Sequence, residues 1–275
     1  MKKAMTAIIA CFFCMTCHAA TGKRGDVVNF SLGKYGCTPN LDNSMVSANL
    51  APSAMIDKSC INFQYNNSYF LPQIGFSDIN LHLALKKLNI GFYFNHYGFS
   101  EYAEFSAGIS FSKFFAPWFA FNLAGEYCGF YLSKEEGVAS SGMAHLSLLA
   151  FPVKNLCIGL SLYNISFSKL KTAFQDIPMP SRFTLGISYD FTRKALLSCE
   201  FGKELRGPVY YAVGLEYMPV KQFVLRTGIG GEDDNVMPCG GFGLRLGIFG
   251  IDFGVKYHFK LGLSMAAGIK FSFKK

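Results

Sequence analysis

From Cys60 to Phe273 apolar and polar residues alternate with a period of two, and in the alternating stretches no helical period fits. Ile79, Leu81, Leu83 and Leu85 interleave with Asp78, Asn80, His82 and Ala84; Leu156, Ile158, Leu160 and Leu162 with Cys157, Gly159, Ser161 and Tyr163; Phe183, Leu185, Ile187 and Tyr189 with Arg182, Thr184, Gly186 and Ser188; Ile251, Phe253, Val255 and Tyr257 with Asp252, Gly254, Lys256 and His258. Such runs are strands with two unlike faces. The pattern predicts strands near 60–69, 77–86, 88–97, 102–113, 117–130, 142–151, 154–164, 181–191, 194–202, 208–217, 221–230, 239–248, 250–259 and 261–273.

The chain is 51% hydrophobic with 29 Phe, yet beyond its first twenty residues no unbroken apolar run is long enough for a membrane helix. High apolarity without a helical span fits a large soluble β core or a barrel facing lipid. The connections choose between them. After even strands come tight links: Lys86-Lys87, Phe115-Ala116-Pro117, Pro152-Val153, Thr192-Arg193, Pro219-Val220 and Phe249-Gly250. After odd strands come longer ones, such as Ser133 to Ser141, Ser166 to Pro180 and Gly231 to Pro238. Short turns at one end and longer loops at the other are the asymmetry of outer-membrane barrels. The expected fold is therefore all-β, a transmembrane antiparallel β-barrel of about 14 strands.

The N-terminus agrees with export. Lys2 and Lys3 precede an apolar stretch, Ala4 to Phe13, and Cys17-His18-Ala19 has the form of a cleavage site after Ala19. The stretch is short for a spanning helix, and a lipoprotein cut at Ile8-Ile9-Ala10-Cys11 would leave Phe12 to Ala19 without purpose. The expected division is a signal peptide at 1–19, an N-terminal segment at 20–59 with weak patterning, and a barrel at 60–273, in the outer membrane of a Gram-negative cell. Loss of Lys2 and Lys3 lowers the net charge from +8 to +6; the remaining cations are dispersed, and no basic run with interleaved aromatics points to nucleic acid.

Six cysteines remain after the signal: Cys37, Cys60, Cys128, Cys157, Cys199 and Cys239. Their spacing fits no zinc site, and they read as small wall residues or as disulfides whose pairing the sequence leaves open. Metal, cofactor and catalytic residues are not expected. His145-Leu146-Ser147 does place a His and a Ser on one strand face, an arrangement outer-membrane lipid hydrolases use, with Glu126 or Asn122 as a third group. Ala144, Leu146, Leu148 and Ala150 form the apolar row there, however, so His145 and Ser147 should face away from lipid. His96 and His258 read as single interfacial residues at strand ends.

If the apolar row faces lipid, the other row faces the lumen. Its candidates in the C-terminal half are Arg182, Glu200, Glu216, Arg226, Arg245, Asp252, Lys256 and Lys270, mixed charges suited to a ladder of ion pairs that either binds a solute or braces the interior. Inward glycines, among them Gly186, Gly214, Gly228 and Gly254, leave room for long neighbours. The N-terminal half turns inward Asn80, His82, Tyr93, Asn95, Asn122 and Glu126, and Met143, Leu149, Tyr93 and Tyr210 supply apolar lining. Aromatics such as Tyr65, Tyr97, Tyr217 and Tyr257 suit interfacial girdles. The last strand ends Gly268-Ile269-Lys270-Phe271-Ser272-Phe273, which looks like the signal read by the barrel assembly machinery.

The succession Pro180-Ser181-Arg182-Phe183-Thr184-Leu185-Gly186, Val213-Gly214-Leu215-Glu216-Tyr217, Leu225-Arg226-Thr227-Gly228, Gly241-Phe242-Gly243-Leu244, Ile251-Asp252-Phe253 and Leu261-Gly262 resembles the FadL-like superfamily of 14-stranded barrels, more closely its PorV/PorQ branch associated with type IX secretion. The likeness runs over most of residues 90–273. Relatives carry Asn-Pro-Ala-x-Leu before the first strand; here the matching stretch is Ala51-Pro52-Ser53-Ala54-Met55, without the Asn. The resemblance implies that residues 26–59 form a partial plug. It also implies either passive uptake of a hydrophobic or amphipathic small molecule, or a scaffold role for secreted protein cargo. Outer-membrane lipid and the assembly machinery are the remaining expected partners.

Overall fold

The computed structural model describes residues 26–43, 45–99, 102–133, 137–171 and 176–273; the signal-peptide reading lies outside them. Fourteen strands close a ring: β1 (Cys60–Asn67), β2 (Gly75–Ala84), β3 (Asn89–Phe99), β4 (Tyr102–Ala116), β5 (Phe119–Ser133), β6 (Gly137–Val153), β7 (Leu156–Tyr163), β10 (Arg182–Asp190), β11 (Ala195–Glu204), β12 (Val209–Val220), β13 (Phe223–Glu232), β14 (Asn235–Leu246), β15 (Phe249–His258) and β16 (Gly262–Ser272). A separate hairpin, β8 (Lys169–Lys171) with β9 (Asp176–Pro178), interrupts the connection from β7 to β10. All barrel pairings are antiparallel, and β16 closes on β1 with Cys60 opposite Ser272 and Gln64 opposite Gly268. Before β1 lie helix α1 (Val27–Leu32) and a 3-10 turn at Ala51–Met55.

The alternation is the reason for the ring. Phe63, Ile79 and Phe94 sit opposite one another on β1, β2 and β3 and are all exposed, as are Leu185 and Phe201 on β10 and β11 and Ile251 and Ile269 on β15 and β16. Their strand neighbours Asn62, Asn80, Asn95, Thr184, Glu200 and Asp252 are buried. The fold is apolar outside and polar inside, the inverse of a soluble core and the pattern of a lipid-facing wall. Closure leaves no edge strand, so every backbone group in the wall has a partner without water. No helix among the described residues is long and apolar enough to cross a membrane.

Tight turns lie at that end, with Lys86-Lys87 and Thr192-Arg193 in them as expected, but Phe115-Ala116, Pro152-Val153, Pro219-Val220 and Phe249-Gly250 belong to strands; the two-residue turns there are 117–118, 154–155, 221–222 and 247–248, with Asn155 (φ 70°) and Gly247 (φ 66°) in the left-handed region such turns demand. The opposite end needs correction. Residues 137–141, 231–232 and 235–238, read as loop, are strand, with Ser133 opposite Gly137 and Glu232 opposite Asn235. Beyond the hydrocarbon there is no lipid to select an apolar row, so alternation fades while the hydrogen-bond ladder goes on. The 164–181 connection does stay long, and it folds inward. Leu170 and Met179 are buried against Cys128, Phe130, Met143 and Tyr163 from the inner face of β5 to β7.

Candidate functional site

Residues 26–56 run inside the ring, and their own peptide groups explain why the lumen is polar. A buried segment without regular pairing must find partners for each N–H and C=O. Side chains of the wall supply them. Gln64 Oε1 accepts from Val27 N at 2.7 Å, Asn80 Oδ1 from Ala48 N at 3.1 Å, and Ser147 Oγ from Ala51 N at 2.8 Å. Ser110 Oγ and Asn122 Nδ2 donate to Ala48 O at 2.6 and 2.9 Å, His82 Nε2 donates to Val46 O at 2.9 Å, and Asn89 Nδ2 donates to Ser53 O at 3.0 Å. The inward row of Asn, Ser and His serves this backbone.

Glu200 performs the densest of these tasks. Its carboxylate accepts from Tyr35 N (2.8 Å), Gly36 N (3.1 Å) and, at the long limit of 3.4 Å, Thr38 N. Tyr210 donates its hydroxyl to Gly33 O, and the Arg182 guanidinium lies 3.7 Å from the centre of the Tyr35 ring. Lys256 Nζ lies 4.8 Å from the centre of the Phe30 ring. Glu200, Arg182 and Lys256 thus all reach the N-terminal segment, and Arg182 also lies 5.5 Å from the centre of the Tyr163 ring on β7. The ion-pair ladder exists further toward the tight-turn end, and it includes a residue the sequence pattern did not single out. Arg226 binds Glu216 (Nε, 3.1 Å) and Asp252 (2.6 Å), and Arg245 binds Asp252 (2.8 Å) and Asp42 (2.6 Å). Asp42 belongs to the inner segment, so the cluster ties wall to segment; Glu216 adds a bond from Leu41 N at 3.1 Å. Asp42 lies in a Gly-, Ser- and Asn-rich stretch that gives no periodic signal.

Glycines set the shape of the lumen. A Cβ at Gly214 or Gly228 would press on Leu32, one at Gly241 or Gly254 on Ser31, and one at Gly159 would overlap the Cys37 carbonyl. Gly214 faces Gly228 and Gly241 faces Gly254 across neighbouring strands. The room these residues make is therefore taken by α1 and the chain after it, not by long wall side chains. The helix itself starts on Asp26, whose Oδ1 accepts from Asn29 N, and stops at Gly33 with φ 73°. Burial pushes the Asp26 carboxyl up to about 7 and the Cys37 thiol well above its ordinary range. The six cysteines among the described residues are free thiols.

His145 and Ser147 face inward and are buried. Asn164 N donates to His145 Nδ1 at 3.0 Å, which puts the ring proton on Nε2, 3.0 Å from Glu126. Both ring nitrogens are engaged there and the Ser147 hydroxyl is bonded to Ala51 N, so the pair has no nucleophile–base geometry.

Space remains at the loop end. A cavity of about 240 Å³ is walled by Tyr69, Phe76, Tyr97 and Tyr210 and floored by Phe30, Gly33, Lys34 and Tyr35 of the inner segment. A second, of about 220 Å³, lies beside the inward-folded connection at Phe167, Met179 and Leu205. Between them and the tight-turn end the lumen is occupied by residues 26–56.

A 14-stranded transmembrane barrel with a chain segment bonded inside it defines the class. The fold is shared with solved channels of the FadL type. The monoaromatic hydrocarbon channel CymD superposes with a TM-score of 0.67 at 11% identity over 91% of this chain and 98% of its own. The Pseudomonas putida toluene transporter TodX gives 0.65 at 10% over 90% and 97%, and a Pseudomonas aeruginosa FadL homologue 0.60 at 11% over 90% and 96%. No protein-family profile matches the sequence, and no curated protein does.

Proposed function

We propose that the protein is a passive outer-membrane transporter for hydrophobic or amphipathic small molecules, with residues 26–59 as its plug. The supporting observation is that the inner segment forms the floor of the aromatic cavity at the loop end, so a solute entering there meets the plug directly. The fold neighbours named as hydrocarbon channels and a transporter support the same reading. By the asymmetry of such barrels the loop end faces the medium and the tight-turn end the periplasm. Export by the cleaved signal at 1–19 and insertion through the C-terminal strand signal belong to this proposal. In it, Glu200, Glu216, Arg226, Arg245 and Asp252 anchor the plug, and Arg182 and Lys256 hold the aromatic residues of the cavity floor.

One observation favours a second reading, a PorV/PorQ-like scaffold in protein secretion. The mid-lumen is filled and closely bonded, as a barrel with no solute path would be. The two are separated by measuring uptake of labelled toluene and of a labelled fatty acid in cells with and without the protein, alongside retention of surface proteins. Transport predicts slower uptake on deletion with secretion intact. Unchanged uptake with cargo lost from the surface would overturn it in favour of the scaffold.

A further inference from the structure

We propose that the tight-turn end carries a cationic belt that draws anionic phospholipids into the lipid shell around the barrel. Lys86, Lys87, Lys154, Arg193, Lys194 and Lys221 are all exposed, and they occupy four of the six turns at that end. Among the described residues the opposing charge there is small. Asp57 is exposed, while Asp190 accepts from Thr192 N and Arg193 N and so caps its own turn. Each cation stands next to, or within three residues of, an exposed apolar residue on the lipid side: Leu85, Val153, Phe191 and Val220. The ammonium and guanidinium groups therefore sit where hydrocarbon gives way to head groups, and their stems reach phosphate while lying against the apolar wall.

The occupant follows from how the charge is spread. The four turns join β2 to β3, β6 to β7, β10 to β11 and β12 to β13, and so point to different sides of the ring. A protein docked on one side would meet one arc. Only the lipid shell meets all of them. The turns are also two to four residues long, which keeps the charge at the membrane surface. A surface cation there attracts an anionic head group severalfold over a zwitterionic one, and salt screens the effect. The inference rests on the barrel alone and is independent of its cargo.

The chain's single tryptophan reports on this directly. Trp118 is exposed in the turn between β4 and β5, which lies around the ring between the turns of Lys87 and Lys154. The folded protein would be placed in vesicles mixing phosphatidylcholine and phosphatidylglycerol at low salt, with bromine on one lipid at a time to quench Trp118. The expected result is a preference of about threefold or more for the anionic lipid, lost at high salt and in the K86E/K87E/K154E variant. Heat-shifted gel mobility shows that the variant is folded. Equal quenching by both lipids at low salt, or a preference that survives the three substitutions, would overturn the proposal.

Discussion

Replacing Glu200 by Ala removes the acceptor that holds the turn after α1. Two of its bonds are short, Tyr35 N at 2.8 Å and Gly36 N at 3.1 Å, and both are made to a carboxylate that is 4% exposed. A hydrogen bond to a charged group contributes about 1.5–3 kcal/mol, and water has little access to replace it here. The combined loss, allowing for the two not being additive, is about 3–5 kcal/mol. The wall strands keep their full ladders, so the loss falls on local opening of the segment, not on the barrel. Amide hydrogen exchange followed by mass spectrometry reads this. At about 1.36 kcal/mol per tenfold, Tyr35 and Gly36 should exchange roughly two to four decades faster in E200A, while β11 amides away from position 200 stay slow. E200Q retains one acceptor oxygen and should fall between. If Tyr35 and Gly36 exchange no faster in E200A, the carboxylate does not anchor the segment and the reasoning fails.

Two further outcomes are expected. Arg226→Met leaves Glu216 buried without its guanidinium partner, though still bonded to the Leu41 N–H, and should cost about 3–5 kcal/mol in denaturant unfolding of the lipid-reconstituted protein; R226M/E216M, which removes the orphaned charge, should regain part of it, and a double variant no more stable than the single one would count against the ion cluster. Asp26 holds its proton up to about pH 7 in the folded segment but only to about 3.9 when unfolded, so its contribution is full at low pH and declines as pH rises between those values; protection of the α1 amides, corrected for intrinsic exchange, should be weaker at about pH 8 than at about pH 5, and D26N should abolish the difference.

The wall was legible because lipid imposes one clear rule on it. An outward residue such as Ile79, Leu185 or Ile251 has to be apolar, so period two survives wherever hydrocarbon lies outside. Where the strands rise beyond it the rule lapses, and the outer ends of β6 and β14 were read as loops. The inward placement of Glu200, Glu216, Arg226 and Asp252 followed from the same parity, but their partners did not, because parity fixes a face and says nothing of what fills the lumen. Helix α1 is six residues opening on Val27-Val28, with weak helical propensity. Its local marks were Asp26 before it and Gly33 after it, a cap and a stop seven residues apart. Asp42 had no such mark; only the fold brings it to Arg245.

Whether residues 26–56 close the membrane-spanning ring is tested most directly by conductance across a planar bilayer. The protein carrying residues 26–56 should show little steady current, and a variant lacking them, verified as folded by its heat-shifted gel mobility, should hold an open channel. A folded deletion variant as silent as the intact protein, or an intact protein that conducts like a wide pore, would contradict the closure.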